Sequence, residues 1–248
     1  MDAISVLPVK GIPEIGEGDR IGSEISSRAE LQYGDVVVVS QKVVSKAEGR
    51  VRRLSSVIPG SQARKLGALL GKEPALVELV LSESTEILRA ERGVLITETR
   101  SGWVCANAGI DSSNLAEDGT VCLLPDDADA SARRIRAEIH EDCGTAAAVI
   151  ISDSFGRAWR VGQCEVAIGC AGLEPLEDWR GRKDRRGVRL EATLIAIADE
   201  AAAAADLARA KDSGIPAAIV RGLGRHVCDG DGPGAAALRR GRSEDLFR

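Results

Sequence analysis

The chain has 248 residues, of which 44% are hydrophobic and 29% charged, with a formal net charge of −5. A core of that size needs neither disulfide nor structural metal. The acidic balance argues against general nucleic-acid binding, which favours a basic domain. Only six residues are aromatic (Trp 3, Phe 2, Tyr 1), too few for a base-stacking surface. No run approaches about twenty apolar residues, so no membrane span is expected. The N-terminus lacks a basic start followed by an apolar block, so it does not read as a secretory signal. Six cysteines without CxxC pairs or zinc-ribbon spacing are expected as reduced, mostly buried thiols of a cytoplasmic protein.

In chain order, GDVVVVSQKVVSK (34–46) reads as a fully buried strand that ends in polar residues. Residues 62–92 space Leu, Val and Ile among Lys and Glu and predict helix, with Pro74 opening a second one. Residues 93–100 and 102–111 read as strands, hairpin-linked. The segment after Pro125 predicts a helix capped by Asp129 or a neighbour and stopped by Gly144. Residues 146–154 form a buried strand with a polar tip. Residues 190–211 begin strand-like and turn helical near Ile197, and 215–222 predict a late strand. No repeat or linker divides the chain. The expectation is one domain over 1–248, of α+β or α/β class, with residues 225–248 loosely packed.

Familiar nucleotide motifs fail. GALLGK (67–72) is one residue short of a P-loop, and Glu73 stands where Ser or Thr is required. GLGRHV (222–227) has Val227 in place of the third glycine of a dinucleotide fingerprint. His140 and His226 are expected to have no catalytic role. Polar residues collect instead at strand ends: Gln41, Lys42, Ser45 and Lys46; Asn107, Asp111, Ser112, Ser113 and Asn114; Asp153, Ser154 and Arg157. Crevices beyond strand ends are where covered sheets bind ligands. Asp111 and Asp153, flanked by hydroxyls, can hold a hard cation through oxygen, and the lysines can neutralise phosphate. The same residues also suit an Asx turn, a helix cap and a solvated face.

The segments IPEI, GDVVVVSQKVVSKAEGR, CANAGIDSSN, LLPDDADASARRIR, VIISDSFGRAWRVGQCEVAIGCAGLEPLEDWRGRKD and IPAAIVRGL occur here in that order. Together they resemble the coenzyme F420-0:L-glutamate ligase family, also called F420-0:γ-glutamyl ligase, from about Val6 to Leu223. The resemblance implies an α+β fold of mixed sheets with packed helices, in an intertwined homodimer whose active site lies near the dimer contact. It implies a GTP-dependent amide ligase that adds L-glutamate to the lactyl carboxylate of F420-0 and can add a second, γ-linked glutamate, the number added being left open by the sequence. Mg²⁺ or Mn²⁺, with K⁺, is implied as well.

By motif match the resemblance makes Asp111 and Asp153 metal carboxylates and Ser154 a second metal contact. Asn114 becomes a GTP contact. Ile12, Pro13, Glu14 and Ile15 lie along the nucleotide, with Gln41, Lys42 and Lys46 at the strand end; Lys46 is the best phosphate candidate. Another nucleotide stretch falls between Leu207 and Gly214, covering Ala208, Arg209, Ala210, Lys211 and Gly214. There Ala210 replaces the glycine of many members, which puts a backbone metal contact at Ala210 in question, since glycine alone accepts positive φ freely. Arg157 and Arg160 are candidates for a substrate or phosphate role. The basic loop 180–189 reads equally as a substrate clamp or as a solvated or dimer surface. Trp103, Trp159 and Trp179 suit core packing better than ring stacking. The flavin-binding reductase domain fused to some relatives is not expected. Two other readings stay open: a ligase of the same fold with a variant acceptor, and a non-catalytic GTP-binding partner.

Overall fold

A computed structural model describes residues 3–113, 115, 117–210 and 212–247. Strand β1 (Ser5–Val9) leads to the short helix α1 (Ile21–Ser26), then β2 (Val36–Ser40) and α2 (Gln41–Ala47). Strand β3 (Val51–Arg53) precedes α3 (Ser61–Leu70) and α4 (Pro74–Ser82). Next come β4 (Ser84–Glu91), β5 (Val94–Thr99), β6 (Val104–Ala106) and β7 (Thr120–Cys122). Helix α5 (Ala128–Cys143) is followed by the long hairpin β8 (Ala148–Arg157) and β9 (Arg160–Ala171). Strands β10 (Glu177–Asp178) and β11 (Leu194–Ile195), helix α6 (Ile197–Arg209) and β12 (Ala217–Arg221) complete the elements.

Five strands form a mixed sheet in the order β1-β12-β2-β8-β9, in which only β2 and β8 run parallel. This is the expected α+β class. The four consecutive valines of β2 are explained by burial on both faces. Val37 and Val39 face α1 and α5, packed with Ile25, Ile135 and Ile139. Val36 and Val38 face the alanine-rich α6, packed with Ala198, Ala201 and Ala202. Small alanines bring α6 close to the sheet. Each such buried valine or isoleucine contributes about 1.5–3 kcal/mol. Gly169 is required where α5 crosses β9, because a Cβ there would lie 2.3 Å from the Ala128 carbonyl oxygen.

A second core sits under α3, α4 and the three-stranded sheet β4-β5-β6, around Val77, Leu95 and Leu123. The sequence expectation fails here for 84–91. The segment is strand β4, paired antiparallel with β5, not a continuation of the helix. Ile87 and Ala90 pack against the second core while Leu88 does not, and short apolar runs do not distinguish the two periods. The expected strand 102–111 is likewise shorter. After Ala106, Asn107, Ala108 and Gly109 take φ of 52°, 54° and 71°, and this left-handed run turns the chain toward Asp111. The valine strand is also shorter than expected, because Gln41–Ala47 is helical.

Helix α5 is capped by Asp127, whose carboxylate accepts from the Ala130 amide at 2.9 Å, and ends at left-handed Gly144. Asp129 has a different task. It accepts from the Cys170, Ala235 and Ala236 amides and so ties the C-terminal segment to the main sheet. Ala235 is fully buried, and Arg239 lies over the Trp103 ring at 5.7 Å; the segment expected to be loose is anchored at these points. All six cysteines are free thiols, with Cys105, Cys122 and Cys170 buried and Cys143 exposed. GALLGK falls on the end of α3, where Gly71 is a left-handed helix stop. Among the described residues no helix is long and apolar enough to cross a membrane.

Candidate functional site

The parallel pair β2–β8 ends together, Ser40 opposite Ser152. Beyond that pair β2 turns into α2 while β8 runs on beside β9, and a cleft of about 650 Å³ opens. Its floor is the junction of β2 with α2, where the Ser40 amide bonds the Pro216 carbonyl at 2.8 Å. One wall is the 12–15 segment, another the end of α6 and its following loop, and a third the β8–β9 hairpin with the Asp111 turn. Ile12, Pro13, Glu14, Ile15, Gln41, Lys42, Lys46, Asp111, Asp153, Ser154, Arg209, Ala210 and Gly214 all line it. A smaller recess of about 340 Å³ adjoins the cleft, sharing Asp111, Ser113, Asp153 and Ser154 and reaching Asn107 and Gln163.

Both lysines face acids of the same cleft. Lys42 Nζ is 2.9 Å from Asp111 Oδ2 and 2.8 Å from Ser113 Oγ. Lys46, 10% exposed, is 2.5 Å from the exposed Glu14. Burial alone would raise the Asp111 carboxyl, but the Ser113 amide and the Lys42 ammonium outweigh it and hold it below the ordinary aspartate range. Asp111 therefore stays ionised throughout the neutral range. The Ser113 amide and hydroxyl both donate to Asp111, so the Asx turn seen in the sequence is present and also aims the carboxylate. On the other side of the recess, burial and the nearby Asp153 charge push the Cys105 thiol up to about 12, so it remains a thiol. Gln41 is buried, with Oε1 accepting from Ser45 at 3.0 Å.

The donor set fits a hard divalent cation. Asp111, Asp153, Ser113 and Ser154 offer oxygen only. No group of three metal-ligating side chains occurs among the described residues. Magnesium is typically held by one or two carboxylates plus substrate phosphates, which suits a two-aspartate site. Ala210 has φ 51° and ψ 150°, so alanine does occupy the backbone region that favours glycine.

Other candidates lie elsewhere. Arg157 is at the hairpin tip, where its guanidinium bonds the Val161 and Gly162 carbonyls, and it does not line the cleft. Ala208 is in the last turn of α6 and is not on the cleft wall. Asn114 and Lys211 fall outside the described residues. The basic loop 180–189 follows β10; Arg180 pairs with Asp178, Arg182 with Glu177, and none of the loop lines the cleft. Trp103 packs against both faces of the main core, whereas Trp159 is 80% exposed, so core packing does not apply to it. His140 is in the last turn of α5, and buried His226 lies outside the cleft. Sequence reading missed Glu165, a buried acid on the cleft wall opposite Ser154. The available signal was an acid opening the otherwise apolar run Val166–Ala171.

The model of the F420-0:gamma-glutamyl ligase family matches residues 11–222. The chain belongs to the F420-0:gamma-glutamyl ligase family. Among curated relatives, the coenzyme F420:L-glutamate ligase of Methanothermobacter thermautotrophicus is 44% identical over 99% of both chains. That of Archaeoglobus fulgidus is 43% identical over 99% of this chain and 96% of its own. The Methanopyrus kandleri ligase is 41% identical over the full length of both. The family match spans every wall of the cleft, from the 12–15 segment to Pro216.

Proposed function

We propose that this chain is a GTP-dependent ligase that joins L-glutamate to coenzyme F420-0. The observation that carries the reading is the cleft itself, with two aspartates and two lysines at the end of a parallel strand pair, in a chain of this ligase family. A free carboxylate does not form an amide at neutral pH, because its oxygen is a poor leaving group. The acceptor carboxylate oxygen attacks the terminal phosphorus of GTP; GDP leaves and an acyl phosphate forms. The glutamate amine then attacks the acyl carbon, inorganic phosphate leaves, and the amine gives up a proton.

The protein's part is positioning and charge compensation. Lys46 and Lys42 exchange their carboxylate partners Glu14 and Asp111 for phosphate oxygens, charged contacts of the same kind. Ile12–Ile15, Gln41 and the loop from Arg209 to Gly214 border the nucleotide. Asp111, Asp153, Ser154 and the Ala210 carbonyl would hold Mg²⁺ or Mn²⁺, which when bound offsets charge on the transferring phosphoryl group. The adjoining recess receives the acceptor carboxylate and the amine. A second γ-linked glutamate, a requirement for K⁺, an intertwined homodimer and a cytoplasmic location belong to the same reading.

One incubation tests it. Purified protein with F420-0, L-glutamate, GTP and Mn²⁺ should give a product heavier by one or two glutamyl units, together with GDP and phosphate. Hydroxylamine without glutamate should trap a hydroxamate, and ATP should substitute poorly. GTP binding with neither glutamyl product nor GDP release would overturn the enzyme reading.

A further inference from the structure

Glu165 faces Ser154 directly across the β8–β9 ladder and is only 6% exposed. Both its oxygens are engaged. Oε1 accepts the Ser154 hydroxyl at 2.5 Å, and Oε2 accepts from Arg209 at 3.1 Å. Arg209, 5% exposed, also donates to the Ser152 hydroxyl and the Pro216 carbonyl, so it locks the end of α6 to the sheet and supplies the charge that a buried carboxylate requires.

A serine hydroxyl has one proton, and an ionised carboxylate only accepts. The Ser154 hydroxyl therefore donates to Glu165, which gives its oxygen the role of an acceptor on the wall of the cleft that Ser154 lines. Building on the metal–nucleotide reading above, we propose that Glu165 is a positioning residue: it orients the Ser154 hydroxyl as an acceptor toward a divalent cation. It does so as a carboxylate behind a ligand, a placement that commonly changes metal affinity 10–100-fold when removed.

Glu165→Gln reverses this bond with little change in shape. Arg209 offers donors only, so the amide must turn its carbonyl toward Arg209 and its NH₂ toward Ser154. The Ser154 oxygen then accepts, and its proton points at the cation site. The test is Mn²⁺ titration of the full chain with GTP present, free Mn²⁺ being read by electron paramagnetic resonance. The proteins are wild type, Glu165→Gln, Ser154→Ala and the double variant.

The expected result is Mn²⁺ binding weakened about 10–100-fold by Glu165→Gln. The double variant should bind no more weakly than Ser154→Ala, since the acid acts through the hydroxyl. Wild-type affinity in Glu165→Gln, or losses that simply add in the double variant, overturns the proposal. If Glu165→Gln does not fold, Glu165→Asp, which keeps the carboxylate but draws it back by a methylene, takes its place with the same criteria. Failure of the wild type itself to hold Mn²⁺ with GTP would overturn the metal–nucleotide reading, a result distinct from loss of the Glu165 effect alone.

Discussion

The cleft is not the largest hollow in the molecule. A recess of about 890 Å³ lies between the β4–β6 sheet, the tip of the β8–β9 hairpin and the C-terminal segment. It gathers Trp103, Trp159 and Phe247, half of the chain's aromatics, and Trp159 and Phe247 touch with ring centroids 4.8 Å apart. The two regions are built on opposite principles. The cleft is walled by strands, helix ends and turns that converge from five parts of the chain, and its charges of both signs are held within it. The larger recess is walled mainly by exposed and half-buried apolar side chains, and two of the cations beside it serve the fold, Arg239 on Trp103 and Arg242 on Glu86 and Glu98. Volume alone would favour the recess over the cleft. Convergent polar groups on rigid elements single out the cleft instead.

The sharpest way to break this contrast is to remove a cleft acid. Asp153→Ala, and equally Asp111→Ala, should lower turnover by about 10³-fold or more, as expected when charge compensation of a transferring phosphoryl group is lost. Folding should be intact by circular dichroism; wild-type GDP release from either variant would remove the metal assignment. Lys46→Ala should weaken apparent GTP affinity by about tenfold or more through loss of a charged contact to phosphate, with F420-0 binding changed far less. Isothermal titration with each ligand separately decides this.

Smaller effects sharpen the comparison. Ala210→Gly, on the cleft rim, should raise stability by up to about 1 kcal/mol, because relief of strain at positive φ outweighs the added freedom of the unfolded chain. A lower melting temperature would argue against that backbone conformation. Trp159 also has positive φ, 60°, but sits on the recess. Trp159→Gly should change stability by about 1 kcal/mol or less, because the strain relieved offsets the lost ring contact, and GTP affinity should be unchanged. The smallest effect is a pH dependence outside both regions. Burial, then the adjacent Arg225 charge, lowers the His226 pKa below its ordinary 6.5. The folded state thus keeps the imidazole neutral while the unfolded state protonates first. Stability falls as pH drops below about 6.5 and until the lower folded pKa is passed. Melting curves of His226→Gln should lack that component.

Much of the cleft was legible before the fold was known. Asp111, Asp153, Lys42 and Lys46 stand out because polar residues follow buried apolar runs, and strand ends are where such residues meet ligands. Arg157 illustrates the limit. It is four residues beyond Asp153, but β8 continues past the cleft and carries it to the hairpin tip, where it braces its own turn. Glu165 is the converse, invisible near Asp153 in sequence yet opposite Ser154 through hairpin pairing.

The sequence by itself narrowed the class to α+β or α/β, and it determined the two-faced burial of the valine strand, the helix after Pro125 with its glycine stop, and the family resemblance, which implied α+β. Each rests on local periodicity, local capping or a run of residue identities. Only the tertiary structure decided that 84–91 is strand, that Asp129 anchors the C-terminal segment and that Glu165 and Arg209 brace Ser154. These depend on pairing register and on contacts between residues 11 to 107 positions apart. Local propensity does not carry that information, because the energy that selects such contacts comes from burial and pairing in the assembled core.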